Sequence, residues 1–536
     1  MEQQTVKRRL RIDRRLLCLA IILGLFFSIL TVTGGELRTH GEFQAFSWMN
    51  AVMLLVWMLV YGAALYLLFS LANLQANRSP KKESLLGRIT GNGFLVFLLL
   101  LFCWVPVWLA FWPGHFSADS LTQFYSYYNE DHSTHHPLIH TLVLGACLML
   151  GIDLSPEGYA TNGLALYCGI QMVVVAGCVA YACWWMKRRG VPVWARLIVT
   201  LLFALNPFYA PWTFYSQKDV IFGVLVMVFC LQLVDLWRFG MKPLRLISFV
   251  LIAVLMMLFR NNGIYALALL IPFVLWWAKG KRIGMTALLA GCMALYIAVN
   301  SLMVNVLDAE KGSNVEILSV PLQQIARTLK VDPDAVAVDT EGVIETLYWD
   351  VNPADAYHEM ISDPVKWPVD YELLDENIPG LLSLWFRMGA GHLKPYAEAF
   401  LIQNQPYLLP YSEMLYHFDF SVNQIEWFPI EQTSFLPQLR AAYETYDQSL
   451  RFLNIPGTHL FADAAFYVWL CIAGFGYACY RQKRGLMMAL GFLLAIWITC
   501  LLGPVAIMRY MLGLFYTVPV LIACLLIPQG SPFEEK

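Results

Sequence analysis

Charged side chains are scarce in this sequence. Only 14% of its 536 residues are Asp, Glu, Lys or Arg, whereas 59% are hydrophobic. A soluble protein of this length keeps about a quarter of its residues charged, because its surface faces water. The low charge excludes an ordinary soluble protein and predicts a chain whose helices lie largely in a membrane.

Cysteine is missing where a disulfide scaffold would need it. All twelve cysteines lie in apolar or membrane-adjacent stretches, and residues 305–460 contain none. The chain has no CxxC pair and no Cys/His spacing typical of zinc sites. Disulfides therefore cannot stabilise the 305–460 segment.

The few charges are distributed unevenly along the chain. Residues 305–460 contain 23 acidic and 8 basic side chains, a net charge of −15. The remainder contains 28 basic and 15 acidic side chains, a net charge of +13, spread over short loops between apolar runs. This distribution is typical of membrane topology, and it argues against nucleic-acid binding.

Long apolar runs predict about twelve transmembrane helices, since a span needs roughly 20 apolar residues. The runs cover about residues 15–33, 49–74, 92–112, 160–185, 194–212, 217–236, 244–260, 263–279, 284–304, 461–480, 486–504 and 507–527. The first run follows a basic start without a clean cleavage site, so we expect a retained signal-anchor.

Basic clusters orient these spans, because Lys and Arg accumulate on the cytoplasmic side. The clusters are at residues 7–15, 78–88, 187–189, 238–245, 279–282 and 481–484. Twelve spans with both termini in the cytoplasm put every cluster inside. The run at 137–151 has only about 15 residues, and counting it as a span would put Lys187-Arg188-Arg189 outside. We therefore predict that it is an interfacial or re-entrant helix.

The topology divides the chain into four predicted parts. Residues 1–91 form a two-helix addition with a cytoplasmic loop, and residues 92–304 form a transmembrane core with an outer loop at 113–159. Residues 305–460 form an acidic, α-rich (mixed) extracytoplasmic domain. Residues 461–536 form a three-helix transmembrane segment. The predicted fold is thus all-α and polytopic, with a soluble outer domain.

The first outer loop contains an acidic residue shortly after the third span. Asp119 is followed by a helical stretch that includes Gln123 and Tyr125. A carboxylate at a membrane surface can act as a general base toward a hydroxyl group. Asp119 precedes a helix, however, and the alternative that it is simply the N-cap is equally supported by the spacing.

Charged residues at three further sites are expected on the same outer face. Lys218-Asp219 begin the sixth run, Arg260 lies in the tight turn Arg260-Asn-Asn-Gly263, and Arg509-Tyr510 lies in a run that is otherwise without charge. Lysine at a helix end is commonly an interface anchor. Arginine this close to hydrocarbon is costly unless it is paired or reaches an anion. One carboxylate with several cations suits an anionic lipid substrate and a neutral acceptor.

Four histidines follow in the same loop, at positions 132, 135, 136 and 140. His136 and His140 stand four apart and could share a helical face as metal ligands. Without a nearby cysteine or an HExxH pattern, interface or substrate contacts are the better interpretation.

These motifs resemble those of the type-C glycosyltransferases (GT-C), polytopic enzymes that use polyprenyl-phosphate-linked sugars. The similarity rests on the stretch Phe116-Ser-Ala-Asp119-Ser-Leu-Thr-Gln-Phe-Tyr125 followed by His136-Pro137-Leu138. It is greatest toward the branch of protein mannosyltransferases and aminoarabinose transferases. Gln217-Lys218-Asp219, the turn at Arg260 and residues 321–327 and 395–410 look like an uncharacterised bacterial membrane family related to them. Many relatives have two adjacent acids, whereas Ser120 follows Asp119 here, so a divalent metal stays open.

The resemblance implies transfer of a sugar from a polyprenyl phosphate to an extracytoplasmic hydroxyl, with inversion. Asp119 would be the general base, and Lys218, Arg260 and Arg509 would bind the donor phosphate. Further substrate contacts are expected from Gln123, Tyr125, His136, His140, Asp219 and Tyr510. The expected partners are the lipid-linked sugar, a glycan, lipid or protein acceptor, and membrane lipids of a bacterial plasma membrane.

Other classes of function fit part of this pattern. A transporter or lipid flippase would also place charges near the membrane surface, although such proteins usually show internal repeats, and none is obvious here. A surface-glycan polymerase or ligase shares the lipid-linked donor and the outer arginines without needing the first-loop acid. A binding module without catalysis is the remaining alternative.

Overall fold

The computed structural model describes residues 13–77, 84–278, 280–349, 351–414, 418, 420–451 and 459–528. These residues are mostly helical, with a few isolated β-bridges but no β-strand among them. Of the basic clusters, residues 7–12, Arg78, Lys81, Lys82 and Lys279 lie outside this described part. The predicted all-α class is confirmed for the part that the structure describes.

The helices up to the acidic segment are α1 (Arg14–His40), α2 (Trp48–Ala76), α3 (Leu85–Thr90), α4 (Gly93–Ala110), α5 (Ala118–Tyr128), α6 (Leu138–Asp153), α7 (Thr161–Arg188), α8 (Val193–Leu205), α9 (Tyr209–Thr213), α10 (Lys218–Phe239), α11 (Pro243–Phe259), α12 (Asn262–Trp277) and α13 (Arg282–Val306). The remaining α-helices are α14 (Ser319–Val331), α15 (Val343–Tyr348), α16 (Pro353–Ala356), α17 (Asp363–Lys366), α18 (Tyr371–Glu376), α19 (Ile378–Gly391), α20 (Leu393–Gln403), α21 (Gln405–Leu408), α22 (Pro437–Arg451), α23 (Ala464–Tyr480), α24 (Arg484–Leu501) and α25 (Leu512–Cys524). Short 3-10 helices cover Asn314–Glu316, Pro333–Val338, His459–Ala462 and Met508–Met511.

Within the described residues, seven helices are long and apolar enough to cross a membrane, as expected of a membrane protein. They are α1, α2, α4, α7, α10, α13 and α24. Five shorter apolar helices, namely α8, α11, α12, α23 and α25 with the turn before it, coincide with the other five predicted runs. The total of twelve spans, their orientation and the four-part division stay predictions.

Helix α10 is at the centre of the bundle, and α2 and α13 are at its edge. Within their apolar stretches, 78% of α10 is buried, against 17% of α2 and of α13. A helix that is apolar all round and also buried packs against neighbours on every side. Lys218 and Asp219 are the first two residues of α10. They are therefore attached to the most buried of the seven helices.

The acidic segment does not pack as one unit. Buried side chains between Val315 and Tyr396 form a small core of their own. Side chains after that point, including Tyr407, Phe418, Ile425 and Leu450, belong to the large core of the membrane helices. The polypeptide therefore leaves the bundle, folds into an outer lobe over residues 315–396, and returns to the bundle.

Helix α6 packs against the first half of α7. His140 near its start contacts Tyr167 of α7, and a Cβ placed on Gly151 would lie 2.0 Å from the backbone nitrogen of Gly163. Along α6 these contacts are about 16 Å apart, but along α7 they are only about 6 Å apart. The run at 137–151 is thus a helix of 16 residues packed on α7. Its position as a surface or re-entrant helix stays a prediction.

This interpretation predicts that both ends of α6 face the same side of the membrane. Cysteines introduced at Ser133 and Ser155 should both react with a membrane-impermeant maleimide added to intact cells, because they flank a helix that does not cross. A cysteine at Lys242, between α10 and α11, should react only after permeabilisation. The parent chain with its native cysteines gives the background, and opposite labelling of Ser133 and Ser155 would show that α6 is a span.

Candidate active site

The polypeptide before α5 is extended and lies between two other segments. The His115 N–H donates to the Phe214 carbonyl at 2.9 Å on one side, and the Asn423 N–H donates to the Phe116 carbonyl at 2.9 Å on the other. Three residues before His115 in the sequence, the Trp112 carbonyl accepts the Thr433 N–H at 2.9 Å. These bonds position the start of α5 from both directions.

Hydroxyl groups then attach the first turn of α5 to the polypeptide before α10. Ser117 is the N-cap, and its Oγ accepts the Ser120 N–H at 3.1 Å. The Ser120 hydroxyl donates to the Ser216 carbonyl, and the Gln217 amide donates to the Ser117 hydroxyl. The alternative that Asp119 is the N-cap is therefore wrong, because Ser117 fills that role. Asp119 lies in the first turn with its carboxylate free for other partners.

The Asp119 carboxylate is bound by two cations from distant parts of the chain. Its Oδ2 lies 2.9 Å from Nη1 of Arg509 and 3.6 Å from Nζ of Lys218. Burial alone would raise the pKa of Asp119, but the charges of Arg509 and Lys218 outweigh it and hold that pKa well below its usual range. The carboxyl is therefore ionised, while 29% of the side chain remains exposed.

A second carboxylate lies behind the first. Asp219 is fully buried, its Oδ1 accepts from Nη1 of Arg260, and its Oδ2 lies 3.8 Å from Nε of Arg509. That Oδ2 has no hydrogen-bond donor within reach. The Arg260 guanidinium also lies over the ring of Tyr510, 4.1 Å from its centroid. Arg509 is thus between two carboxylates, one exposed and one enclosed.

His136 completes the cationic group through Lys218. Its Nδ1 lies 2.9 Å from the Lys218 Nζ. Burial lowers the pKa of His136, and the charge of Lys218 lowers it further, to about 2. The ring is therefore neutral, and its Nδ1 can accept a hydrogen bond from the Lys218 ammonium group. The five charged side chains, three cations and two carboxylates, have a net charge of +1.

Two of the residues expected to contact the substrate, Gln123 and His140, do not line the cavity described below. Both ring nitrogens of the buried His140 are used, Nδ1 with the Gln123 side chain at 2.6 Å and Nε2 with the Tyr167 hydroxyl at 2.7 Å. The Gln123 amide donates to the Asp119 backbone carbonyl at 3.1 Å. Gln123 and His140 therefore support the helix that carries Asp119. Tyr125 faces elsewhere, where its hydroxyl accepts the Glu426 N–H at 3.3 Å.

The charged group opens onto a cavity of about 1950 Å³. Asp119, Lys218, Arg260, Arg509 and Tyr510 line its floor, together with His135 and His136. One wall follows α12 through Tyr265, Ala268, Leu269 and Pro272, and the end of α24 contributes Ile498 and Leu502. Residues of the lobe at 315–396, among them Glu316, Trp367 and Tyr371, line another part of the cavity, and this part is called its roof.

Comparison with protein families places residues 131–531 in DUF6020, a family of unknown function. The chain belongs to this family. The DUF6020 match includes Lys218, Arg260 and Arg509, whereas Asp119 and helices α1–α5 precede it. No curated protein and no solved structure matches the chain.

Metal binding by the histidine pair is not supported in this DUF6020 member. His136 and His140 contact different partners, Lys218 and the Gln123–Tyr167 pair. Across the described residues, no three His, Cys, Asp or Glu side chains form a group that could hold a metal ion.

The enclosed carboxylate should contribute strongly to stability. Asp219→Asn leaves Arg260 buried and Arg509 partly exposed without their shared counter-charge, which we expect to cost about 3 kcal/mol. The control is Glu341→Gln, whose carboxylate is 55% exposed and lies 3.1 Å from Arg387, and whose loss should cost less than about 1 kcal/mol. Thermal unfolding in detergent measures both. Equal shifts in Tm would show that Asp219 is not a buried counter-charge.

Proposed function

We propose that this protein is a membrane glycosyltransferase that moves a sugar from a polyprenyl-phosphate donor to an extracytoplasmic hydroxyl. The observation that carries the proposal is the charged floor of the cavity. One partly exposed carboxylate, Asp119, lies within 3.6 Å of Lys218 and 2.9 Å of Arg509, and the same cavity continues along apolar side chains of α12.

The three cations are suited to a phosphate group. Arg509 can form forked hydrogen bonds to phosphate oxygens, and Lys218 and Arg260 add positive charge beside it. Since the floor has a net positive charge, an anion gains attraction there that a neutral lipid does not. In the reaction these charges would stabilise the phosphate as it leaves.

The apolar wall is suited to the lipid tail of such a donor. Tyr265, Ala268, Leu269 and Pro272 recur on one face of α12 and extend over about 10 Å of its length. Tyr265 and Leu269 are 54% and 45% exposed, although they lie in an apolar helix. A polyprenyl chain along this face would remain in contact with lipid while its phosphate reaches the cations.

Asp119 would be the general base. The acceptor oxygen attacks the anomeric carbon from the face opposite the phosphate and forms the new C–O bond. The bond from that carbon to the phosphate oxygen breaks, and its electron pair stays on the phosphate. The acceptor proton goes to Asp119. Because the donor phosphate competes for Arg509 and Lys218, its binding would weaken their hold on Asp119 and make the carboxylate a stronger base.

The strong ion pairing of Asp119 also favours a second candidate. If the carboxylate serves only as a counter-ion for Arg509, the site fits a lipid-linked glycan polymerase or ligase that does not need a first-loop base. Loss of Arg509 but not of Asp119 would then stop transfer.

Asp119→Asn should reduce transfer by about 10²–10⁴-fold, because the amide cannot accept the proton. A deletion strain and an Asp119→Asn strain should both accumulate the same polyprenyl-phosphate sugar in their lipid extracts, measured by mass spectrometry. Asp131→Asn is the matched control, since Asp131 is an exposed carboxylate in the same outer loop. Membrane abundance of each variant is measured alongside. Wild-type transfer in Asp119→Asn would overturn the assignment of the base.

Arg509→Lys should weaken binding of undecaprenyl phosphate by about tenfold, because lysine cannot form the forked contact. Arg387→Lys, at the exposed ion pair with Glu341, is the control and should bind normally. Undecaprenol without the phosphate tests whether the cations are responsible. If the lipid alcohol binds as tightly as the phosphate, the phosphate-binding role of Arg509 is wrong.

A further inference from the structure

The roof of the cavity is acidic, whereas its floor is cationic. Four roof residues in the outer lobe face the cavity with polar or aromatic groups: Glu316, Asp363, Trp367 and Tyr371. The 305–460 segment as a whole has a net charge of −15. A ligand held between floor and roof therefore meets opposite charges at its two ends.

A buried lysine fixes the two roof carboxylates. The Lys366 Nζ lies 2.8 Å from both oxygens of Glu316 and 2.7 Å from Oδ1 of Asp363. Lys366 is only 3% exposed, whereas Glu316 and Asp363 are 42% and 27% exposed. One cation is thus shared by two carboxylates, so their exposed edges keep unused acceptor positions and a net charge of −1. Hydrogen-bond acceptors in fixed positions are suited to bind the hydroxyl groups of a ligand.

Aromatic surfaces lie beside these carboxylates. Trp367 is 71% exposed and Tyr371 is 40% exposed, although both belong to the folded lobe and line the cavity. Trp385 lines the same wall, and its Nε1 donates to the Gln324 side chain at 2.7 Å. Aromatic faces have negative electrostatic potential and attract the weakly positive C–H faces of a sugar ring.

A membrane-interface role for these aromatics fits less well. Interfacial Trp and Tyr are common, but they are usually accompanied by Lys and Arg, which meet anionic lipid headgroups. Here the neighbouring exposed charges are carboxylates, and the one lysine among them is buried. Carboxylates with exposed aromatics favour a ligand with many hydroxyl groups over a headgroup layer.

We propose that the roof formed by Glu316, Asp363, Trp367 and Tyr371 is a binding site for an uncharged saccharide. If the proposed transferase activity is correct, this saccharide is the acceptor, and its hydroxyl enters the cavity toward Asp119. The carboxylates repel anionic glycans, polyphosphates and nucleic acids, so the site selects against them. The acceptor class is therefore a neutral carbohydrate chain, in preference to an anionic polymer.

Binding to the full-length protein in detergent tests the site without requiring transfer. The probes are chitotetraose and maltotetraose as neutral saccharides and tetragalacturonate as an anionic saccharide of the same length. Saturation-transfer NMR titrations should show saturable binding of at least one neutral tetrasaccharide and at least tenfold weaker binding of tetragalacturonate. Trp367→Ala should weaken neutral binding at least tenfold.

Two further variants distinguish saccharide binding at the roof from a general effect of substitution. Trp427→Ala removes an exposed tryptophan of the 305–460 segment that does not line the cavity, and it should leave saccharide binding unchanged. Glu316→Gln should reduce the discrimination against tetragalacturonate, because it removes one repelling charge while Asp363 still pairs with Lys366. Thermal unfolding of each variant confirms that it is folded.

The proposal is overturned if neither neutral saccharide binds, if tetragalacturonate binds as tightly as they do, or if folded Trp367→Ala binds normally. Failure of the transferase assignment would look different. Asp119→Asn would then keep transfer or the deletion strain would accumulate no lipid-linked sugar, while neutral saccharides would still bind to the roof.

Discussion

The ion pair between Asp119 and Arg509 connects two ends of the molecule and determines what the cavity can do. One partner is on the short helix α5, and the other precedes the last apolar helix, 390 positions later. Charges removed from water are costly unless each has a close counter-charge. The two carboxylates provide that compensation for Lys218, Arg260 and Arg509. The three cations are therefore held together by side chains of the protein itself.

The two carboxylates are not equivalent. Asp219 is enclosed and holds Arg260 from behind, so it has no route to a ligand. Asp119 is partly exposed on the cavity side, and an incoming anion would compete with it for the same cations. An anion that takes Arg509 leaves Asp119 less stabilised as a carboxylate and thus more basic. The arrangement links anion binding to the basicity of Asp119 without requiring a large movement of either helix.

Hydropathy and charge were sufficient to predict the apolar helices and the common side of the charged residues. The positive-inside rule also separated the run at 137–151 from the spans, and that distinction stays a prediction. Contacts between distant segments were not accessible from the pattern. The spacing allowed Asp119 to be an N-cap, but Ser117 has that role because its Oγ accepts the Ser120 N–H. Gln123 and His140 looked like ligand contacts, yet they form a buried network with Tyr167, and no local signal distinguishes these two uses of a polar side chain.

The return of the acidic segment to the bundle was also not apparent from composition. The extended strand-like bridge between Phe116 and Val422 belongs to this returning part, and so does the bond from Thr433 to Trp112. These contacts hold the residues immediately before α5. The lobe at 315–396 and residues 420–434 thus belong to one segment of the sequence, with most of α20 and all of α21 between them. Because Asp119 is in the first turn of α5, its position depends on the returning part of the acidic segment as well as on the bundle.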